Sequence, residues 1–320
     1  EGPQKGDLMK QFQGSDTYIA SPELVRSVNI AAALQKPLLI KGEPGTGKTM
    51  LAQSIADSLG MKLFIWNIKS TTKAQDGLYV YDTVQRLYDS QFGAEGVDDI
   101  KKYIHLGKLG EAFSEDQQSV LLIDEIDKAD LEFPNDLLWE LDRMEFYIPE
   151  TGETVRTKKR PIVIITSNAE KELPDAFLRR CIFHYIEFPD REKMEDIIRV
   201  HYGDIEKKLV AAAMNAFYAI RDMRQIQKKP STSELLDWIQ ALRISGVDVR
   251  KIEEHVPYIG VLLKKNQDID ITRECSDVYR ILLSAARQGA FHLAGRMALP
   301  HQSAGQRPGH EFSDGILLSV

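Results

Sequence analysis

Pro37-Leu38-Leu39-Ile40-Lys41 runs directly into Gly42-Glu43-Pro44-Gly45-Thr46-Gly47-Lys48-Thr49. An apolar strand thus ends in a G-x-x-x-x-G-K-[ST] string, and beyond it Leu51, Ile55 and Leu59 are spaced to share one helical face. Glycines let such a loop turn tightly enough for successive N–H groups to point at one anion. The N-terminus of the following helix adds its partial positive charge. Lys48 then reaches the terminal phosphates, and Thr49 sets its hydroxyl on a magnesium ion. Gly42, Glu43, Pro44, Gly45, Thr46, Gly47, Lys48, Thr49 and Met50 therefore form the candidate binding loop for a nucleoside triphosphate.

Working outward, strands and helices alternate. Leu63-Phe64-Ile65-Trp66-Asn67, Val120-Leu121-Leu122-Ile123, Pro161-Ile162-Val163-Ile164-Ile165-Thr166 and Ile182 to Phe188 read as further strands. Pro134 to Met144 reads as a helix with Leu137, Leu138 and Leu141 on one side. Short apolar runs separated by helices predict a parallel α/β sheet, doubly wound and buried on both faces. From Asp190 only helical periodicity continues, so Pro189 marks the expected boundary. The expected division is 1–189 nucleotide-binding α/β domain, 190–266 smaller all-α lid, and 267–320 a C-terminal helix with a weakly ordered tail. That helix is read over Arg273–Arg287. Gln288–Val320 is rich in Gly, Pro, His, Ser and Gln, a composition poor in the apolar residues a packed core needs.

Composition narrows the function classes. With 43% hydrophobic and 28% charged residues in 320, the chain is of globular type. A net charge of −7 counts against general nucleic-acid binding. No apolar run is long enough for a membrane span, and Glu1–Asp7 lacks a signal-peptide core. Two cysteines, Cys181 and Cys275, suit a reducing cytoplasmic setting rather than a disulfide framework.

Asp124-Glu125 follows the third apolar strand. Ligands of open α/β sheets sit outside the carboxyl ends of the strands, which puts both acids opposite the phosphate loop, one strand away. There Asp124 holds the magnesium ion through water and Glu125 polarises the attacking water. Asn168, ending the neighbouring strand, hydrogen-bonds that water and the γ-phosphate.

Val120 to Glu125 resembles a Walker B motif with its hydrolytic glutamate, and Ile164-Ile165-Thr166-Ser167-Asn168 resembles the sensor 1 strand of the AAA+ ATPases. Leu173-Pro174-Asp175-Ala176-Phe177-Leu178-Arg179-Arg180 is similar to the arginine-finger segment. Within AAA+ the chain looks most like the chaperone-like MoxR branch, whose members carry a hairpin before sensor 1 and an insert in the second helix. Phe146 to Val155 reads as that hairpin, with Glu150-Thr151-Gly152-Glu153 its turn, and the region around Gly77-Leu78-Tyr79-Val80-Tyr81 matches the insert in position. The resemblance implies ATP and Mg2+ as cofactors, and a ring, read as a hexamer, with nucleotide between subunits. It implies an arginine donated to the neighbour's γ-phosphate: Arg180 is the better positional match and Arg179 the runner-up. It implies a protein client, with a von Willebrand factor A domain protein as partner. A nucleic-acid motor or a GTP-driven restriction-complex subunit is the alternative, disfavoured by the acidic balance. A nucleotide-gated scaffold is disfavoured by Glu125.

The lid departs from the family pattern. Where a sensor 2 arginine is usual, the helix opens Pro230-Ser231-Thr232-Ser233-Glu234, with Ser233 at the matching position and a capping box from Ser231 to Glu234. Arg224, Lys228 and Lys229 lie upstream as substitutes. Leu24 to Ala32 is expected over the base, with Ile30 the contact. Tyr79 and Tyr81 are read as half-buried strand residues before pore aromatics. Lys158-Lys159-Arg160 is read as a solvated edge guard before a nucleic-acid contact, and His184 as a packed or capping histidine. Arg180 beside Cys181 is a cue for a lowered thiol pKa, while a redox role is disfavoured because no partner cysteine lies nearby.

Overall fold

The computed structural model describes residues 11–274, apart from 16, 17, 94 and 169. Most of the helix read over Arg273–Arg287, the segment Gln288–Val320 and Cys275 lie outside the described residues.

The chain opens with α1 (Pro22–Leu34), β1 (Leu38–Gly42), α2 (Lys48–Leu59) and β2 (Leu63–Asn67). An insertion follows: α3 (Ala74–Leu78), β3 (Tyr79–Tyr81), α4 (Thr83–Gln91), β4 (Ile104–Leu106) and α5 (Lys108–Ser114). Next come β5 (Val120–Asp124), α6 (Phe133–Asp136), α7 (Leu138–Arg143), a hairpin of β6 (Glu145–Ile148) and β7 (Glu153–Arg156), β8 (Ile162–Ser167), α8 (Asp175–Leu178) and β9 (Ile182–Ile186). Helices alone complete the described residues: α9 (Arg191–Tyr202), α10 (Lys207–Asp222), α11 (Thr232–Ser245), α12 (Val249–His255), α13 (Ile259–Leu262) and α14 (Asn266–Glu274).

The main sheet has five strands in the order β2-β5-β8-β1-β9, every neighbouring pair parallel. Side chains alternate across it. Leu38, Ile40, Leu122 and Ile164 join α1 and α2 in one core, while Leu39, Leu121, Ile123 and Ile165 join Phe113, Phe146 and Phe177 in the other. Burying each such aliphatic side chain is worth about 1.5–3 kcal/mol, which is why the central strands are apolar without interruption. The outer strands differ from the expectation of burial on both faces. β2 and β9 have a neighbour on one side only, and Phe183 and Tyr185 stay 55% and 48% exposed.

A third cluster, built on Met194, Ile198, Ala213, Phe217, Leu235, Trp238 and Ile252, is the core of the helical segment. Its α11 starts as its capping box predicts: Glu234 N–H donates to Ser231 Oγ and Ser231 N–H to Glu234 Oε2.

Three local readings are corrected. The helix read over 134–144 is α6 and α7, divided at Leu137, and Leu137 and Leu141 take the core positions while Leu138 is only half-buried. The last strand stops at Ile186, and Phe188 leaves the sheet to join the helical core. The phosphate loop and the acid pair are two strands apart, because β8 lies between β1 and β5.

Candidate functional site

The loop between β1 and α2 turns through Gly45 and Gly47, both left-handed at φ +75° and +81°. Gly45 is needed twice over: a Cβ there would lie 2.6 Å from the Cβ of Ser231, the N-cap of α11. Lys48 is buried and curls back, its Nζ donating to the carbonyls of Gly42 (2.9 Å) and Glu43 (2.8 Å). Burial pushes its pKa down, and Asp124, Asp127, Glu125 and Glu43 pull it partly back.

Thr49 Oγ1 bonds to both carboxylate oxygens of Asp124, at 3.1 Å each. A hydroxyl and a carboxylate brought together this way are hard oxygen donors, the chemistry that suits Mg2+. Asp124 is aimed by Thr166 on the intervening strand, whose hydroxyl donates to Asp124 Oδ1 (2.6 Å) and accepts the N–H of Glu125 (2.8 Å). Glu125 is left-handed at φ 59°, ψ 53°, a conformation that costs a non-glycine residue about 1–2 kcal/mol. The turn swings its carboxylate off the strand line to accept from Asn168 Nδ2 (2.7 Å) and to pair with Lys128. Asn168 is held in turn by buried Asp127, which accepts its N–H at 3.3 Å and that of Glu170 at 2.9 Å.

These groups face one cleft of about 990 Å³ between the sheet and the helical segment. Pro44, Gly45, Thr46, Gly47, Lys48, Thr49, Met50, Asp124, Glu125 and Asn168 line it, whereas Gly42 and Glu43, where the strand passes into the loop, do not. Thr232 and Ser233 reach it from the start of α11, and Tyr18 to Leu24 wall one side, with Tyr18 packed against Gly47. Burial pushes the Tyr18 hydroxyl up to about 12, so it is a neutral wall at ordinary pH.

Several candidates lie elsewhere. Ile30 is half-exposed on the outer part of α1 and does not line the cleft; the N-terminal end of α1 and the residues before it do. Arg179 and Arg180 are exposed and outside the cleft of their own chain, and Arg180 Nε donates to Asp142 at 2.8 Å. Arg224, Lys228 and Lys229 do not line the cleft either. Tyr79 is buried against Phe146 with its hydroxyl donating to Glu150 (2.9 Å), and Tyr81 accepts from Arg86, so Val80 is the exposed residue of that strand. Lys158 pairs with Asp116, Lys159 reaches Gln117, and Arg160 caps the carbonyl of Leu141. His184, by contrast, does line the cleft; it shares a hydrogen bond with Ser27 at 3.1 Å and is pushed below its ordinary pKa by burial.

The expectation for Cys181 is overturned. Its thiol is pushed up to about 12, first by burial and then by Asp142, while the adjacent Arg180 points at Asp142 instead. In a Cys275→Ser background, Cys181 of the folded protein is expected to alkylate with iodoacetamide at pH 8 more than about tenfold slower than in urea. Equal rates would contradict a protonated, shielded thiol.

Thr166, Asp127 and Lys128 are site members that sequence reading passed over. Thr166 belongs to an apolar strand and Asp127 follows the acid pair by two residues, and a threonine in a strand and a second acid after a turn carry no motif. Thr166→Val removes a donor to Asp124 and an acceptor for a constrained N–H. It is expected to destabilise by about 1–3 kcal/mol, read as a lower thermal midpoint, and to weaken Mg2+-dependent nucleotide binding. An unchanged midpoint would mean the hydroxyl holds nothing.

A strand–loop–helix phosphate cradle facing an aspartate–glutamate pair and an asparagine, beneath a helical segment, defines a P-loop nucleotide site. Residues 38–190 match the family described as the ATPase family associated with various cellular activities (AAA), so the chain carries an AAA ATPase domain. It is 25% identical to fidgetin-like protein 1 of Drosophila melanogaster over 216 residues, covering 62% of this chain and 35% of that protein. It is 26% identical to the katanin p60 ATPase-containing subunit A1 of Strongylocentrotus purpuratus over 227 residues, 65% of this chain and 39% of that one. A shorter stretch of 80 residues is 40% identical to midasin of Giardia intestinalis, 23% of this chain and 2% of that protein. The chain thus spans little more than a third of the fidgetin-like and katanin relatives and a few per cent of midasin. Among the described residues no helix is long and apolar enough to cross a membrane.

Proposed function

We propose that this chain binds ATP with Mg2+ and hydrolyses it to remodel a protein client. The observation that carries the reading is the Thr49–Asp124 contact beside Lys48, with Glu125 and Asn168 joined at the same cleft. Thr49 and Asp124 would hold the ion, which supplies charge neutralisation at the β- and γ-phosphates. Lys48 binds the phosphate oxygens. Glu125 takes a proton from the attacking water, and Asn168 Nδ2 orients that carboxylate.

The segment 190–266 acts as a lid over the nucleotide, supported by its own core and by Thr232 and Ser233 at the cleft. A ring, read as a hexamer, completes the site. Support comes from Arg179 and Arg180, exposed cations outside their own cleft, the second of them held at the surface by Asp142. MoxR-type membership is favoured by the β6–β7 hairpin directly before β8 and by the β3–β4 pair inserted between β2 and β5. With it come a cytoplasmic setting and a client or partner bearing a von Willebrand factor A domain.

The test is Mg2+-dependent phosphate release from ATP by the purified chain, with and without DNA and with candidate partner proteins. ATP turnover that DNA leaves unchanged and a partner protein alters is the expected result. Stimulation by DNA alone would move the reading to a nucleic-acid motor, and absence of ATP binding would end it.

A further inference from the structure

Arg221, in the last turn of α10, is where three distant segments meet. Its guanidinium lies over the Phe188 ring, with Cζ 3.3 Å from the centroid. Nη1 donates to the carbonyl of Pro230, and Nη2 donates to Glu43 Oε2 at 2.6 Å across 178 residues of chain. The Arg221 side chain is 8% exposed and that of Glu43 43%, so the pair sits half inside the seam between the phosphate loop and the helical segment.

Each end of this contact is placed where it matters. Pro230 immediately precedes Ser231, the residue that caps α11 and presses on Gly45. Glu43 is the loop residue whose carbonyl accepts from Lys48 Nζ (2.8 Å) and from Thr46 Oγ1 (2.9 Å). Lys48 thus holds Glu43 by its main chain and Arg221 holds it by its carboxylate. The upstream cations Arg224, Lys228 and Lys229 do not line the cleft, and Lys228 is turned to Glu234 at 3.6 Å.

We infer that Arg221 is a positioning residue that ties the start of α11 to the phosphate loop through Glu43, so that nucleotide binding at the loop is passed to the helical segment. The inference rests on the ATP-binding role given above. When Lys48 turns from the Gly42 and Glu43 carbonyls to a phosphate, the Glu43 peptide loses a donor and the loop resettles. A carboxylate paired with a buried, ring-stacked guanidinium does not move independently of it, because an unpaired charge there is poorly solvated. The Pro230 carbonyl on the same guanidinium, and Ser231 next to it, then follow. Couplings carried by one packed polar link correspond to roughly two- to thirty-fold effects.

The experiment uses the full chain with Mg2+ and ATPγS, reading amide hydrogen exchange over residues 231–236 together with nucleotide Kd, kcat and KM. In the unmodified chain ATPγS is expected to slow exchange at the start of α11. In Glu43→Ala that slowing should shrink about tenfold and kcat fall about tenfold, while Kd and KM move less than about threefold. Arg221→Met, which keeps an apolar stem over Phe188, should reproduce this, and the double variant should be no worse than either single one. If Arg221→Met is not recovered folded, Glu43→Ala and Glu43→Gln decide alone. The link is overturned by an unchanged exchange response in Glu43→Ala, by additive losses in the double variant, or by α11 amides that ignore ATPγS although the unmodified chain binds it. Failure of the unmodified chain to bind ATPγS would instead remove the ATP-binding reading, and the link with it.

Discussion

Replacing Lys48 with alanine is expected to weaken Mg2+-ATP binding by about 100-fold or more, the loss of charge-assisted bonds worth about 1.5–3 kcal/mol each at a buried position. The side chain is only 6% exposed and already in a low-dielectric setting, so its attraction to phosphate is weakly screened. The fold should survive. Lys48 pays a desolvation penalty where it sits, which alanine relieves, and Thr46 still donates to the Glu43 carbonyl. Isothermal titration with ATP and Mg2+, paired with thermal unfolding without nucleotide, separates the two effects. Affinity within threefold of the unmodified chain would dismantle the site as assigned.

Glu125→Gln is the complementary experiment. Glutamine keeps an acceptor for Asn168 Nδ2 and the same length, but it cannot take a proton from water and loses the charge facing Lys128. Hydrolysis should fall by about 10²–10⁴, the range for removal of a general base. ATP affinity should stay within about threefold, since neither Lys48 nor Thr49 bonds to Glu125. The nucleotide-bound state would then accumulate, and any ring with it. Single-turnover phosphate release measured beside equilibrium binding gives both numbers. Full turnover would pass the base to another residue, and loss of binding would make Glu125 a structural support of the loop.

The parts of this site that could be read from sequence are those whose chemistry is local. Gly42 to Met50 is contiguous, and its glycines, lysine and threonine are required by a phosphate cradle wherever it occurs. Asp124 and Glu125 could be placed because an apolar strand ends in acids. Asn168 could be placed because Ile164 to Ser167 runs into it. The sheet's middle strands were legible because burial on both faces demands unbroken apolar residues. Ile65, Phe183 and Tyr185 misled because exposed edge strands can carry the same residue types. Cys181 misled because adjacency in sequence says nothing about where Arg180 points.

By itself, then, the chain's order of residues determined the α/β class and marked the candidate phosphate loop and the acids proposed to serve it, since each depends on neighbours within a few positions. Tertiary structure alone decided that β8 lies between β1 and β5, so that Thr166 can bond at once to Asp124 and Glu125. It alone brought Arg221 to Glu43 and Ser231 to Gly45. Those contacts arise where separately built cores meet across a seam, and no local pattern of residues records which side chain will stand opposite which.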